Sequence, residues 1–309
     1  MTSHLFAPPW GLPDDHDVAL ARALEREDWA TALLLLRDHL PEGPGGAVPP
    51  RLLALMAFLR FQDALTVMQE ELVPASQEAL ALLERAAEGG LPMDEVAPLR
   101  EEVERALAAE TAAELRAEAL TPEAARSAPL EQVVDAAERL RPGRPLQASA
   151  LFLAAAERDP AHAPLHRADA GVALHLAGER DRARPLLEEA LQADWRSAPL
   201  RPGRLRADWA ASLLVEDALA AGDRERVARL WAEAQARGAQ LGLPFPANWL
   251  NQERLLQRLL AHGDGVRAAQ VASRIEASRE YVPRALAQRL REARGLARTQ
   301  AEGGGAKLH

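Results

Sequence analysis

The 309-residue chain contains no cysteine, and that one absence removes several chemistries. Disulfides, thiolate metal ligands and a cysteine nucleophile are excluded, and the composition suits a reducing cytoplasm. Aromatic residues make up only 4%, with a single tyrosine. Lysine occurs once, at Lys307, so arginine carries nearly all the positive charge. No segment approaches about 18 consecutive apolar residues, so no membrane span is expected. The opening MTSHLFAPPWGLPDDHD lacks a basic segment followed by an apolar run, so no secretory leader is expected. Runs of β-branched residues are missing as well, which disfavours strands. The glycine runs Gly43-Pro44-Gly45-Gly46 and Gly303–Gly305 follow no strand and lack a phosphate-binding lysine. Serines are scattered, with none in the strand–turn–helix context that exposes a nucleophile. Neither an enzyme nor a cofactor is expected.

What is present is apolar and small. Hydrophobic residues reach 48%, dominated by Ala and Leu, and this favours helices packed closely through short side chains. The net charge of −9 is unevenly spread. Residues 1–140 hold 11 basic and 26 acidic side chains, a balance of −15, while residues 196–298 hold 18 and 11, a balance of +7. An acidic and a basic section on one chain can attract each other within it or head-to-tail between copies.

The stretch Pro164–Arg196 organises the rest. Pro164 suits a first helical turn, where its missing N–H is not needed. Leu165, Ala168, Gly171, Val172 and His175 share one helical face. Gly178 can take the left-handed conformation that ends a helix. Ala183, Leu186, Leu187, Ala190 and Leu191 then form the inward face of a second, antiparallel helix.

The spacing A-x3-F-x2-A at Ala148, Phe152 and Ala155 returns at Ala183, Leu187 and Ala190. It returns again at Val227, Trp231 and Ala234, and at Ala268, Ala272 and Ile275. The starts lie 35, 44 and 41 residues apart. Such a period, built of helix pairs, predicts stacked hairpins that each bury a face on the next. Towards the N-terminus the pattern predicts a hairpin at 14–26 and 29–40 and a loop at 41–50. Helical stretches at 51–60 and 63–72 read as two pieces or one bent helix, broken by Pro74, and helix resumes at 77–87. A long charged helix at 94–119 follows, with Pro98 in its first turn. Its apolar face is Val96, Leu99, Val103, Leu107 and Leu115. Its other face carries Glu101, Glu102, Glu104, Glu110, Glu114 and Glu118, with Glu101 and Arg105 spaced as an ion pair. The expected organisation is an N-terminal helical section at 1–120 continuous with the array, hairpin repeats at 121–298, and a disordered tail at 299–309.

These residues resemble the tetratricopeptide repeat family, whose helix pair carries W-x2-L-G-x2-Y, then A-x3-F, then P over about 34 residues. Arg167, Ala170, Gly171, Leu174, Ala183, Leu187 and Trp195 occupy the matching positions of one unit. Ala211, Leu214, Val215, Ala218, Val227 and Trp231 do so in the next, and Gln252, Leu255, Leu256, Leu259, Ala268 and Ala272 in the last. The resemblance implies an all-α, antiparallel helix-hairpin superhelix, a tetratricopeptide-like α-solenoid. It also implies a concave face, lined by first helices, that binds proteins or peptides. Some such modules grip a terminal carboxylate with asparagine and basic residues. The nearest positions here are Ala168, Val172, Ser212, Glu216, Glu253 and Gln257, which carry no such clamp.

Three clusters compete as sites. His162, His166 and Asp169, with His175 beyond, have partial metal-ligand spacing, but Pro164 places His162 in a turn, and surface polar groups are the simpler reading; no metal is expected. Arg196, Arg201, Arg204 and Arg206 surround Pro199, Pro202 and Gly203, and Trp195 and Trp209 flank this stretch. It reads as an exposed inter-helix loop, with its arginines either paired with nearby acids or free to contact a partner. Arg196, Arg201, Arg204, Arg206 and Trp209 are therefore the candidate partner-binding residues. Trp231 and Trp249 are expected in the core. The leading expectation is a non-catalytic, cytoplasmic scaffold for a protein or peptide. The alternative is a regulator touching nucleic acid through the arginine loop and the basic last helices.

Overall fold

In the computed structural model, residue 10 and residues 12–39, 48–66, 71–193, 201–279 and 281–305 are described. Among them there are fifteen α-helices and no strand. The chain divides into two compact units, Met1–Leu115 and Arg116–His309.

The first unit holds α1 (Asp14–Glu25), α2 (Trp29–His39), α3 (Pro50–Thr66) and α4 (Leu72–Glu88), and the division falls within α5 (Met93–Glu118). The two stretches expected at 51–72 differ from what forms. Residues 50–66 make one helix, and Pro74 lies in the first turn of α4, where a proline costs no hydrogen bond. Helix α3 is apolar around most of its circumference. Leu52 through Leu59 are all buried, as are Phe61 and Ala64, so α3 is the centre of this unit. Trp29 meets Phe58 edge-on at 5.5 Å. Arg60 donates to Glu71 (2.8 Å) and Glu78 (2.9 Å), and Glu78 also accepts from Arg37 (2.9 Å). In α5, Val96 and Val103 are buried while Leu115 is 62% exposed, so the expected apolar face fades towards its end. Pro98 stands in the second turn rather than the first, and the ion pair formed is Arg100–Glu104 (2.9 Å).

The second unit is a succession of helices. Short α6 (Pro122–Ala125) precedes α7 (Leu130–Leu140), α8 (Pro145–Arg158), α9 (Ala163–Leu176) and α10 (Arg180–Gln192). Then come α11 (Arg201–Ala220), α12 (Arg224–Leu241), α13 (Trp249–Ala261), α14 (Gly265–Ser278) and α15 (Arg284–Gly305). From α7 onward each packs on the next along the sequence, apart from α12 and α13, while α6 packs on α8. The repeated small–large–small residues fall on α8, α10, α12 and α14, and all twelve are buried. Gly171 on α9 is where two helices touch most closely. A Cβ there would lie 3.0 Å from Leu186 Cβ and 3.1 Å from Leu187 Cδ2 on α10.

One turn recurs between first and second helices. Gly178, Gly222 and Gly263 take φ of 81°, 68° and 67°. In each case the glycine N–H and the next N–H donate back into the helix that is ending, as at Glu179 to Leu174 O (2.9 Å) and Asp264 to Leu259 O (2.9 Å). Asp223 and Asp264 then cap the following helix by accepting from Arg226 N and Arg267 N.

Three expectations are corrected here. The Arg196–Arg206 stretch is not a loop throughout, because residues 201–206 form the first turns of α11, where Pro202 is tolerated. Residues 196–200 lie outside the described residues. The tail expected from 299 is helical to Gly305, the end of α15, and residues 306–309 are outside the description. Trp231 is buried as expected, but Trp249 is 42% exposed at the start of α13.

Candidate partner-binding groove

The first helices of the hairpins, α7, α9, α11 and α13, are joined unequally. Helix α9 packs on α11 and α11 on α13, whereas α7 and α9 both pack on α8 and meet each other only sparsely. Where the first helices meet, the seam is closed. Ala168 and Val172 share one core with Ala207, Ala210 and Ala211, and Ser212 is 1% exposed.

Charged side chains stitch that closed seam. Asp169 on α9 receives Arg206 Nε of α11 at 2.5 Å and Arg141 Nη1 at 3.3 Å. Both guanidiniums lie over the Trp209 ring, at 5.5 and 5.1 Å from its centroid. Burial lowers Arg141 to about 10, helped by the like charge of Arg206. Burial pushes Asp169 up, and the charges of Arg206 and Arg141 oppose that shift. Further along, His175 Nε2 lies 3.0 Å from Asp217 Oδ1, and Glu216 pairs with Arg254 of α13 at 2.6 Å. Asp208 accepts from Ala247 N (2.7 Å), Asn248 N (3.2 Å) and Asn251 Nδ2 (2.8 Å), so it clamps the start of α13.

Between α7 and α9 the same side of the unit is open. A groove of about 780 Å³ runs there. Leu130, Val134 and Leu165 supply its apolar lining. Glu131, Asp135, Glu138 and Asp159 supply carboxylates, His162 and His166 imidazoles, and no lysine or arginine lines it. His166 is 6% exposed, and its Nε2 has no hydrogen-bond partner; the nearest carboxylate oxygen, Asp159 Oδ2, is 3.8 Å away. Burial holds His166 below the ordinary imidazole value, so it is neutral at pH 7. Asp159 instead engages His162 Nδ1 at 2.8 Å. Desolvation and the nearby charge of Asp169 push Glu138 up. Asp135 has Arg139 at 3.0 Å, outside the lining.

The candidate residues read from sequence are therefore separated. Arg206 and Trp209 sit in the buried cluster with Asp169. The side chains of Arg201 and Arg204, and all of Arg196, lie outside the description. Trp209 already has two guanidiniums over its ring, and Arg206 already has a carboxylate. His162 and His166 line the groove, whereas Asp169 and His175 are tied to arginine and aspartate. Among the described residues no three His, Asp or Glu side chains are placed to hold a metal ion. Sequence reasoning passed over Glu131, Glu138 and Val134, although their spacing of three and four residues puts them on one face of α7. Compared with models of protein families, with curated proteins and with solved structures, the chain matches none.

Proposed function

We propose that this chain is a non-catalytic scaffold of stacked helical hairpins, similar in build to tetratricopeptide repeat arrays. In this reading residues 130–298 curve as a superhelix in the cytoplasm and hold a peptide segment of a protein partner on the first-helix side. One observation carries it: first helices that close on each other from α9 onward leave a groove of about 780 Å³ between α7 and α9. That volume is typical of sites that enclose a ligand of several side chains. Of the positions where a concave face would otherwise bind, Ala168, Val172, Ser212 and Glu216 are buried, Glu253 is half-buried against Arg279, and Gln257 is exposed. The α7–α9 groove is the open stretch of this side that the reading assigns to the partner.

A photo-crosslinking residue at Gln132, exposed on the groove, compared with one at Val266, 56% exposed on α14, tests this in the source cell. Partner peptides joined at Gln132 and not at Val266 are expected. Equal yields at both sites, or none at Gln132, contradict the proposal. The nucleic-acid alternative gains nothing from Arg206, whose charge is met by Asp169.

A further inference from the structure

The groove's chemistry narrows its occupant, given the partner-binding reading above. Glu131 and Glu138 lie seven residues apart on α7, two turns, so they stand about 10 Å apart along the helix. Val134 lies between them, and Leu165 belongs to the α9 wall. No lysine or arginine lines the groove, and the one cationic charge acting on Glu138 is that of Arg206, which belongs to the Asp169 cluster. His166 adds a buried ring nitrogen without a partner at the same wall. Its neutral imidazole can accept or donate one hydrogen bond to an entering backbone or side chain. An anionic segment would meet four carboxylates here, and a purely apolar one would desolvate Glu131 and Glu138 without pairing them.

We infer that the α7–α9 groove binds a basic, apolar peptide segment of a separate protein, with two cationic side chains reaching Glu131 and Glu138 and an aliphatic side chain seated on Val134 and Leu165. A polyproline II segment rises about 3.1 Å per residue and repeats every three residues. Cations at i and i+3 on one face then stand about 9 Å apart, close to the carboxylate separation.

The test uses the full chain and fluorescein-labelled peptides: (Arg-Leu-Pro)4, (Glu-Leu-Pro)4 and (Arg-Ser-Pro)4. Fluorescence anisotropy is expected to show binding of the first, at least tenfold weaker binding of the third, and none of the second. Glu131→Gln with Glu138→Gln should weaken (Arg-Leu-Pro)4 at least tenfold. The control pair Glu101→Gln with Glu102→Gln, on α5, should change it less than twofold. Circular dichroism melting of both double variants should match the parent, since Glu131, Glu138 and Glu101 are exposed and Glu102 is half-exposed.

Equal losses in groove and control variants would mean diffuse attraction to an acidic surface and overturn the inference. So would absence of binding by (Arg-Leu-Pro)4, or equal binding by the serine peptide. If sedimentation shows self-association that the groove variant abolishes, the occupant is a second copy's basic helix, and assignment to a separate partner fails. Crosslinking at Gln132 to a partner segment without basic residues would sink this inference and leave the scaffold reading intact. No crosslink there would sink both.

Discussion

Glu27 holds a left-handed backbone, φ 55°, where glycines stand at five comparable helix ends. Its N–H donates to Leu24 O and that of Asp28 to Ala23 O, as in the turns at Gly178, Gly222 and Gly263. An L side chain in that region costs about 1–2 kcal/mol, and Glu27 is exposed. Glu27→Gly should therefore raise stability by about 0.5–1 kcal/mol once the extra entropy of glycine is offset, read from urea denaturation. A second residue-scale outcome concerns pH. Burial raises Asp217, but the hydrogen bond and charge of His175, with Arg180 and Arg184, outweigh it and hold the carboxyl below its ordinary value. The folded state thus favours the ionised form. The stability this contributes is complete above the unfolded aspartate value and is lost as pH falls through the folded one. Asp217→Asn should cost about 1–3 kcal/mol at pH 7, and parent and variant should converge as pH falls below the ordinary aspartate range. A gap unchanged with pH would show that charge at Asp217 is not what matters.

Among elements, Gly171 is the most direct handle. Leucine there would drive into Leu186 and Leu187. Gly171→Leu should destabilise by about 1–3 kcal/mol, visible as a lowered melting temperature, whereas Gly295→Ala, on α15 with open space around it, should stay within about 0.5 kcal/mol. Helix periodicity and turn glycine made α9, α10, α12 and α14 legible in the sequence, because each buried face recurs at a spacing that only a helix satisfies. Local punctuation misled elsewhere. Pro202 and Gly203 read as loop residues but occupy the opening turn of α11, and Gly303–Gly305 read as a tail but end α15. In both places composition argues one way and the continuing helix decides. Trp249 shows the converse: a bulky residue suggests core, yet it stands 42% exposed with Arg279 over its ring at 5.5 Å.

At the scale of the whole molecule, the sequence carries the all-helical class but hides the site. The groove depends on which first helices meet, and that is a tertiary quantity. Ala168 and Val172 look like any apolar helical pair until α11 covers them, while Val134 and Leu165 look the same and are left facing a groove. The arginine set drew notice because it is dense in the sequence, yet Arg206, half-buried, pairs with the buried Asp169 and stitches α9 to α11.

The lack of cysteine makes the central contrast measurable, since a single introduced thiol has no competitor. Val134→Cys on α7 and Val172→Cys on α9 replace like with like at an open and a closed seam. The decisive measurement is the alkylation rate of each thiol in the native protein, relative to the same variant unfolded in urea. Rapid labelling at position 134 and labelling at least a hundredfold slower at position 172 are predicted; equal rates would contradict a first-helix face that is open at α7–α9 and shut beyond it.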